Sequence, residues 1–518
     1  VVWTLSNINI HLDIENGAAT PTFVLCQAQG QVARMLQGVP MTTILQGAVR
    51  ARDAGVLRAL VLPMLPVLPL FPGVAHAGEG DAPTLQKALG NPEGLTVEGH
   101  VRARYEAIDN QFRPGRARSS DALLLRSDLQ VTYDAGPVQV GGEITDSRAY
   151  GGGEGSSLGT TEVNALAVTQ AYLAFDFGTA LGEGTSARLQ AGRFTMDMGS
   201  RRLVARNRFR NTINAFTGFR ADWTGKGGES VSAFYTMPVR RLPGDRDGIL
   251  DNHVHADSQG FDETFWGAFA RTPIGLRGAA LEGYFYALDE DDTPSRATRN
   301  RHLRTAGARL SRKSTAGCLD FDVEGAYQFG NIRNSTAPGA LKRDVSAYFA
   351  HAEVGYRFSG GWSPRVALEL DLVSGDKPGE NGGGSYNRFD TLFGARRFEF
   401  GPTSLYGALG RANIRSVGAL VQASPAKRLS LAAMGRANWA DSLEDSFSST
   451  GVSDADGNAG RFAGYQLEAR AGYWLVPRVL EIDTGGAVLF RGDFLKNASG
   501  ANGWGDTLYG YTSATVHF

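Results

Sequence analysis

Residues 192–223 read GRFTMDMGSRRLVARNRFRNTINAFTGFRADW. Before the central arginines, Phe194, Met196 and Met198 fall on one face of an extended chain, and Arg193, Thr195 and Asp197 on the other. After them, Thr217, Phe219, Ala221 and Trp223 oppose Gly218, Arg220 and Asp222. Successive strand side chains point to opposite faces. The stretch is therefore two strands, each with an oily and a polar side, around an arginine-rich connection carrying Arg201, Arg202, Arg206, Arg208 and Arg210. Soluble sheets and membrane barrels both use such ribbons, so the neighbouring segments must decide between them.

The same alternation recurs along the chain. Leu95, Val97, Val101, Ala103 and Tyr105 oppose Glu98, His100, Arg102, Arg104 and Glu106. Val366, Leu368, Leu370 and Leu372 oppose Arg365, Glu369 and Asp371, and Tyr465, Leu467 and Tyr473 oppose Gln466, Glu468 and Arg470. About eighteen such segments occur, many near the length a tilted strand needs to cross a bilayer. Short connections (135–137, 224–228, 425–427, 476–478) alternate with long polar ones (150–162, 240–263, 377–410, 441–461). That is the layout of an all-β, single transmembrane antiparallel barrel of about 18 strands, with short periplasmic turns and long extracellular loops. A soluble sandwich of this size would need two domains with edges, and no linker divides the chain. No fixed period indicates a propeller or solenoid.

Composition agrees. Glycine, at 67 residues, is enriched, and the formal net charge of −1 argues against a nucleic-acid partner. Near the start, Arg50, Arg52 and Arg58 precede an apolar run at 59–71 and an Ala75-His76-Ala77 cleavage pattern. The expected division is an over-extended segment 1–55, with Met41 the expected initiator, a signal peptide 56–77, a periplasmic leader 78–93 and a barrel 94–518. Cleavage leaves Cys318 as the sole cysteine, so no internal disulfide is expected and stability falls to the hydrogen-bond ladder. The closing YGYTSATVHF strand, 509–518, ends on Phe518, similar to the signal that delivers such proteins to the barrel-assembly machinery.

With oily faces toward outer-membrane lipid and lipopolysaccharide, polar faces line water. Parity then sends Arg102, Arg104, Arg126, Arg193, Arg220, Arg309, Arg357, Arg365, Arg415, Arg436 and Arg470 into the lumen, together with acids such as Asp320, Asp322, Glu324, Glu369, Asp371 and Glu468. Opposed pairs of this kind can simply brace a wall; clustered arginines at a constriction would select anions. Arg201, Arg202, Arg206, Arg208 and Arg210 belong to an extracellular loop, where they either cap the mouth or bind the anionic outer leaflet.

Residues 364–393, with LELDLVSGD (368–376), a Gly/Asn-rich loop and RFDTLF (388–393), resemble the alginate export family of outer-membrane proteins. So do residues 192–223, NWADSLED (438–445) and GGAVLFRGDFL (485–495), and the likeness runs from about residue 94 to the end. The resemblance implies an eighteen-strand barrel with an arginine-lined constriction that lets an acidic uronate polymer, alginate or similar, leave the cell, and it implies a monomer. By strand position the lining falls to Arg193, Arg220, Arg365, Arg415, Arg436 and Arg470. The slightly acidic mature chain and the acids from Asp320 to Glu324 depart from that pattern. A general diffusion porin and a non-conducting adhesive barrel are the alternatives. No serine elbow accompanies His100 or His351, so no enzyme is expected, and no cofactor. Asp245, Asp247, Gly248 and Asp251 have a calcium-loop flavour but lack the closing glutamate. His253 and His255 have no third ligand, so no metal is expected. The glycine runs do not lead a strand into a helix and cradle no phosphate.

Overall fold

The computed structural model describes residues 84–518 except 277, 378, 380, 381 and 398, and a small hairpin pairing Thr4–Leu5 with Ile8–Asn9. The chain divides into units Val1–Arg58 and Ala59–Phe518, and everything below concerns the second. The expected signal peptide and most of the leader lie outside the described residues.

Eighteen strands follow. The first six are β1 (Leu95–Asp109), β2 (Ser120–Ala135), β3 (Val138–Gly151), β4 (Asn164–Gly178), β5 (Ser186–Phe194) and β6 (Phe216–Thr224). Next come β7 (Ser230–Pro238), β8 (Glu263–Pro273), β9 (Ala279–Glu290), β10 (His302–Arg312), β11 (Cys318–Arg333) and β12 (Lys342–Arg357). The last are β13 (Arg365–Val373), β14 (Ile414–Ala426), β15 (Leu429–Trp439), β16 (Phe462–Val476), β17 (Leu480–Arg491) and β18 (Thr507–His517). Each pairs antiparallel with its sequence neighbours and β18 closes on β1, so the barrel has no free edge. The seam runs from Leu508↔Asp109 to His517↔His100, and just beyond it Gly99 and Phe518 exchange both backbone hydrogen bonds, at 2.9 and 3.0 Å. The bare Gly99 lets the terminal ring lie against the strand: a Cβ would lie 2.2 Å from the Phe518 ring, which would have to shift.

The two faces are inverted relative to a soluble protein. Leu368 is 65% exposed while its neighbour Glu369 is 3% exposed. Leu173, Phe219, Val354 and Tyr465 share the outward face, as lipid contact requires, whereas Arg104, Asp128, Glu324 and Arg436 point in and are buried. One rim carries only short turns, among them 136–137 and 427–428. The other carries the long connections, chiefly 195–215, 239–262, 374–413 and 440–461. Among the described residues no helix is long and apolar enough to cross a membrane. The helices are single turns: α1 (Leu85–Ala88) before the barrel, α2 (Arg246–Leu250) and α3 (Asp493–Asn497) in long loops. Asp245 caps α2 by accepting from Gly248 N–H at 2.8 Å, which gives the aspartate-rich stretch a structural role.

A hydrophobic core nonetheless exists, and it lies inside the barrel. Phe194, Met196, Met198, Leu203, Val204 and Phe216 pack with Phe265, Phe349, Phe389, Phe400, Leu405 and Tyr406. Eight of these twelve side chains belong to loops 195–215 and 374–413, which turn inward rather than standing in solvent. Each such side chain withdrawn from water contributes about 1.5–3 kcal/mol, which gives the loops reason to stay.

Candidate functional site

Loop 195–215 crosses the lumen and is tied at both ends. Toward β1–β3, Arg102 and Arg126 donate to the carbonyls of Arg208 and Arg210 at 3.0–3.2 Å, and Arg206 Nη1 meets Glu143 at 2.9 Å. Asn211 donates to the carbonyls of Leu125, Arg148 and Glu162 at 2.8–3.1 Å. Toward β11, Arg202 reaches Glu324 at 2.5 Å and Asp322 at 3.2 Å, and its Nε contacts Glu399 of the second inner loop at 2.5 Å.

Loop 374–413 is anchored as firmly. Tyr406 Oη donates to Gln466 at 2.6 Å, Leu405 N–H donates to Glu106 at 3.1 Å, and Arg397 pairs with Glu468. The two loops run together as a short parallel pairing: Phe393 N–H donates to Leu203 O at 3.0 Å and Ala205 N–H to Phe393 O at 3.1 Å. Burial would raise the Glu399 carboxyl, but Arg202 and Arg411 outweigh it and hold it at about 2.

His351, Asp371 and Glu399 bring ligand-type atoms within 4.8 Å of one another. Asp371 already accepts from His351 Nδ1 at 2.8 Å and from Arg436 at 2.6 Å, and Glu399 takes Arg202 and Arg411. A divalent cation there would sit against three guanidinium groups, so the cluster fits an ionic junction between wall and loop better than a metal centre.

The sequence-predicted arginines separate into three groups. Arg220, Arg365 and Arg436 face the lumen but are paired: Arg220 with Asp222 at 2.8 Å, Arg365 with Asp320 and Glu353, Arg436 with Asp371 and Glu369. Arg470 also faces in and is exposed; among the described residues it has no ion pair within 4.0 Å, and it acts electrostatically on Glu481. Arg193 and Arg415 face outward, opposite to expectation. The register sets Arg193 beside Thr217 on the face of Phe219, where it donates to Val168 O and Gln259, and Arg415 shares the face of Val417 and binds Asp441. The physical reason is the same in both. Their apolar neighbours Phe194 and Ile414 point into the inner core, not into lipid, so strand alternation turns the arginines outward. Of the loop arginines, Arg202 and Arg206 are ion-paired inside, Arg208 is largely exposed near Asp197, Arg201 donates its backbone N–H to Met198 O, and Arg210 donates to Asn214 at 2.6 Å.

A set that strand parity could not find is built from loops. Arg113, Arg210, Arg241 and Arg396 are half-buried, and among the described residues none has a carboxylate within 4.0 Å. Neutral acceptors hold them: Leu405 O and Tyr406 O for Arg113, the shared Asn214 amide for Arg210 and Arg241, Ser449 for Arg396. Burial, reinforced by like charge, pulls Arg113 and Arg396 down to about 10 and lowers Arg210; burial alone lowers Arg241, against Asp257 and Glu162. Glu162 is the one carboxylate that acts electrostatically on all four, and burial raises its own pKa. Arg396 and Arg411 also line a cavity of about 490 Å³ at the long-loop end, with Arg296, Arg299, Arg301 and Arg388, against the acids Glu290 and Asp390.

A family model described as alginate export matches residues 94–504. The chain belongs to the alginate export family. Alginate export family membership and the barrel place it in the outer membrane of a Gram-negative bacterium as a channel protein. Solved structures share the fold. The outer-membrane protein opdK of Pseudomonas aeruginosa is 12% identical with a TM-score of 0.51, covering 82% of this chain and 99% of its own. OccK9 of the same organism is 11% identical, TM-score 0.51, over 82% and 98%, and OccK2 is 12% identical, TM-score 0.50, over the same shares. No curated protein sequence matches. At Arg210 the surrounding sequence FRNTIN (209–214) holds no acid, whereas Arg113, Arg241 and Arg396 each have one within four residues (Asp109, Asp245 and Glu399), so local sequence marks only the first.

Proposed function

We propose that this alginate export family channel passes an anionic uronate polymer, and that its anion preference rests on Arg113, Arg210, Arg241 and Arg396. The observation that carries this is the imbalance of four half-buried arginines around Glu162. Low-dielectric surroundings focus a field that bulk water would screen, and a polyanion supplies the counter-charge that the protein withholds. Because neutral acceptors hold these arginines, a passing carboxylate can engage them without first displacing a protein carboxylate.

A general diffusion porin is the second reading. It is favoured by the pairing of Arg220, Arg365 and Arg436 with wall acids, which leaves little net charge on that part of the lining. Planar-bilayer recordings under a salt gradient separate the two. The polymer channel has an anion-selective reversal potential that collapses in an Arg113→Ser/Arg396→Ser double variant, and uronate oligomers block its current. Cation selectivity in the unmodified channel, or indifference to uronate oligomers, would refute it.

A further inference from the structure

The opposite end of the barrel carries features that these arginines leave unused. At the short-turn rim, β16, β17, β18 and β1 turn Trp474, Glu481, His517 and His100 toward the lumen, with Glu481 in register with Trp474 and His517 with His100. Their rings touch in sequence. Trp474 and His517 have centroids 5.2 Å apart, and His517 meets His100 edge-on at 4.8 Å. A cavity of about 500 Å³ opens beside this strip, lined on its polar side by Ser424, Lys427, Ser430 and Glu481 and floored by Gly472 and Trp474. Gly472 keeps the space open: a Cβ there would lie 2.8 Å from Ser430 Oγ. Four residues from Trp474 along β16 on the same face, about 13 Å by strand rise, stands Arg470, which acts electrostatically on Glu481.

An aromatic surface beside convergent hydroxyl and carboxylate groups is suited to a pyranose ring. The C–H face of the sugar lies on the ring, and its hydroxyls donate to carboxylate and accept from hydroxyls. A guanidinium further along the same lumen-facing strand adds a planar fork for the carboxylate of a neighbouring sugar. We infer that the short-turn mouth is a binding subsite for hexuronate residues. Trp474 stacks the sugar face, Glu481 accepts from its hydroxyls, Lys427 at the rim takes its carboxylate, and Arg470 takes the carboxylate of a sugar further along the polymer. The inference rests on the uronate-channel reading and adds the place where the polymer is first held, ahead of the loop arginines.

The test is block of single-channel current by a tetrameric uronate added to the short-turn side, with Trp474→Ala, Trp474→Phe and Arg470→Gln barrels checked for folding by heat-modifiable gel mobility. Trp474→Ala should weaken block about tenfold, the equivalent of about 1.4 kcal/mol, and Trp474→Phe should restore most of it. Arg470→Gln should weaken block by the uronate but leave block by a neutral hexose tetramer unchanged. Block by uronate as strong as wild type in both Trp474→Ala and Arg470→Gln overturns the subsite, and equal wild-type block by neutral and acidic tetramers overturns its uronate assignment. Failure of the transport reading is distinct: it shows as cation selectivity and is read from the reversal potential without any sugar.

Discussion

Arg202 Nη1 lies 2.5 Å from Glu324 Oε2, although Arg202 leaves the wall between β5 and β6 and Glu324 belongs to β11, five strands further round the barrel. The same guanidinium contacts Glu399 of loop 374–413, so one side chain ties two inner loops to a distant wall. Both acids are almost fully buried. Such a junction adds little to stability relative to an apolar replacement of every member, but breaking one partner strands the others.

Arg202→Met should therefore release the loops without unfolding the barrel. Glu324 would keep only Tyr284 Oη at 2.8 Å and a distant Arg309 at 4.0 Å, a loss on the order of 3–5 kcal/mol concentrated in the loop junction. Expected results are new protease cleavage within 195–215, larger single-channel conductance, and unchanged heat-modifiable mobility, since the eighteen-strand ladder is untouched.

Acid should act on the same junction. The Glu399 carboxyl sits at about 2 in the folded loop against an ordinary value of 4.5, because Arg202 and Arg411 overcome the effect of burial. A depressed carboxyl stabilises fully above its ordinary value and loses that contribution as pH falls from 4.5 toward 2. His351 and Asp371 also face Glu399, on the wall side. Conductance and loop hydrogen exchange should be flat on the Glu399 account from pH 7 to 5 and rise steeply below pH 4, and Glu399→Gln should show the released state already at pH 7.

Charge reversal at Arg193 and Arg415 separates the two faces of the wall. Both are outward and at the long-loop rim, so Arg193→Glu and Arg415→Glu should leave the reversal potential unchanged, whereas Arg470→Glu, exposed in the lumen, should shift it toward cations. The contrast also marks what the amino-acid pattern could convey. Alternation of Leu368 with Glu369, or Phe219 with Arg220, is local and gives strand, barrel and face together. It inverted at Phe194 and Ile414, because an apolar residue beside an inward-folded loop obeys the same alternation as one beside lipid. Which loop arginines are left without acids depends on contacts such as Arg202 with Glu324 that join residues far apart in the chain, and no local pattern encodes those.

Gly394 provides the most local test of the loop pairing. A Cβ on it would stand 1.8 Å from Arg202 O and 3.1 Å from Leu203 Cα, both backbone atoms that cannot rotate away. Gly394→Ala must then push the parallel contact between Leu203–Ala205 and Phe393 apart, at a cost of about 1–3 kcal/mol by analogy with overpacking in a core. Gly283 on β9 supplies the control, since a Cβ there meets nothing within 4 Å and its backbone is not left-handed. Gly283→Ala should be silent. Gly394→Ala should raise protease cleavage in 195–215 and 374–413 together, because each loop is the other's packing surface. Cleavage rising in only one of them would mean that the two loops are held by the wall independently, and that the backbone pairing between them contributes nothing.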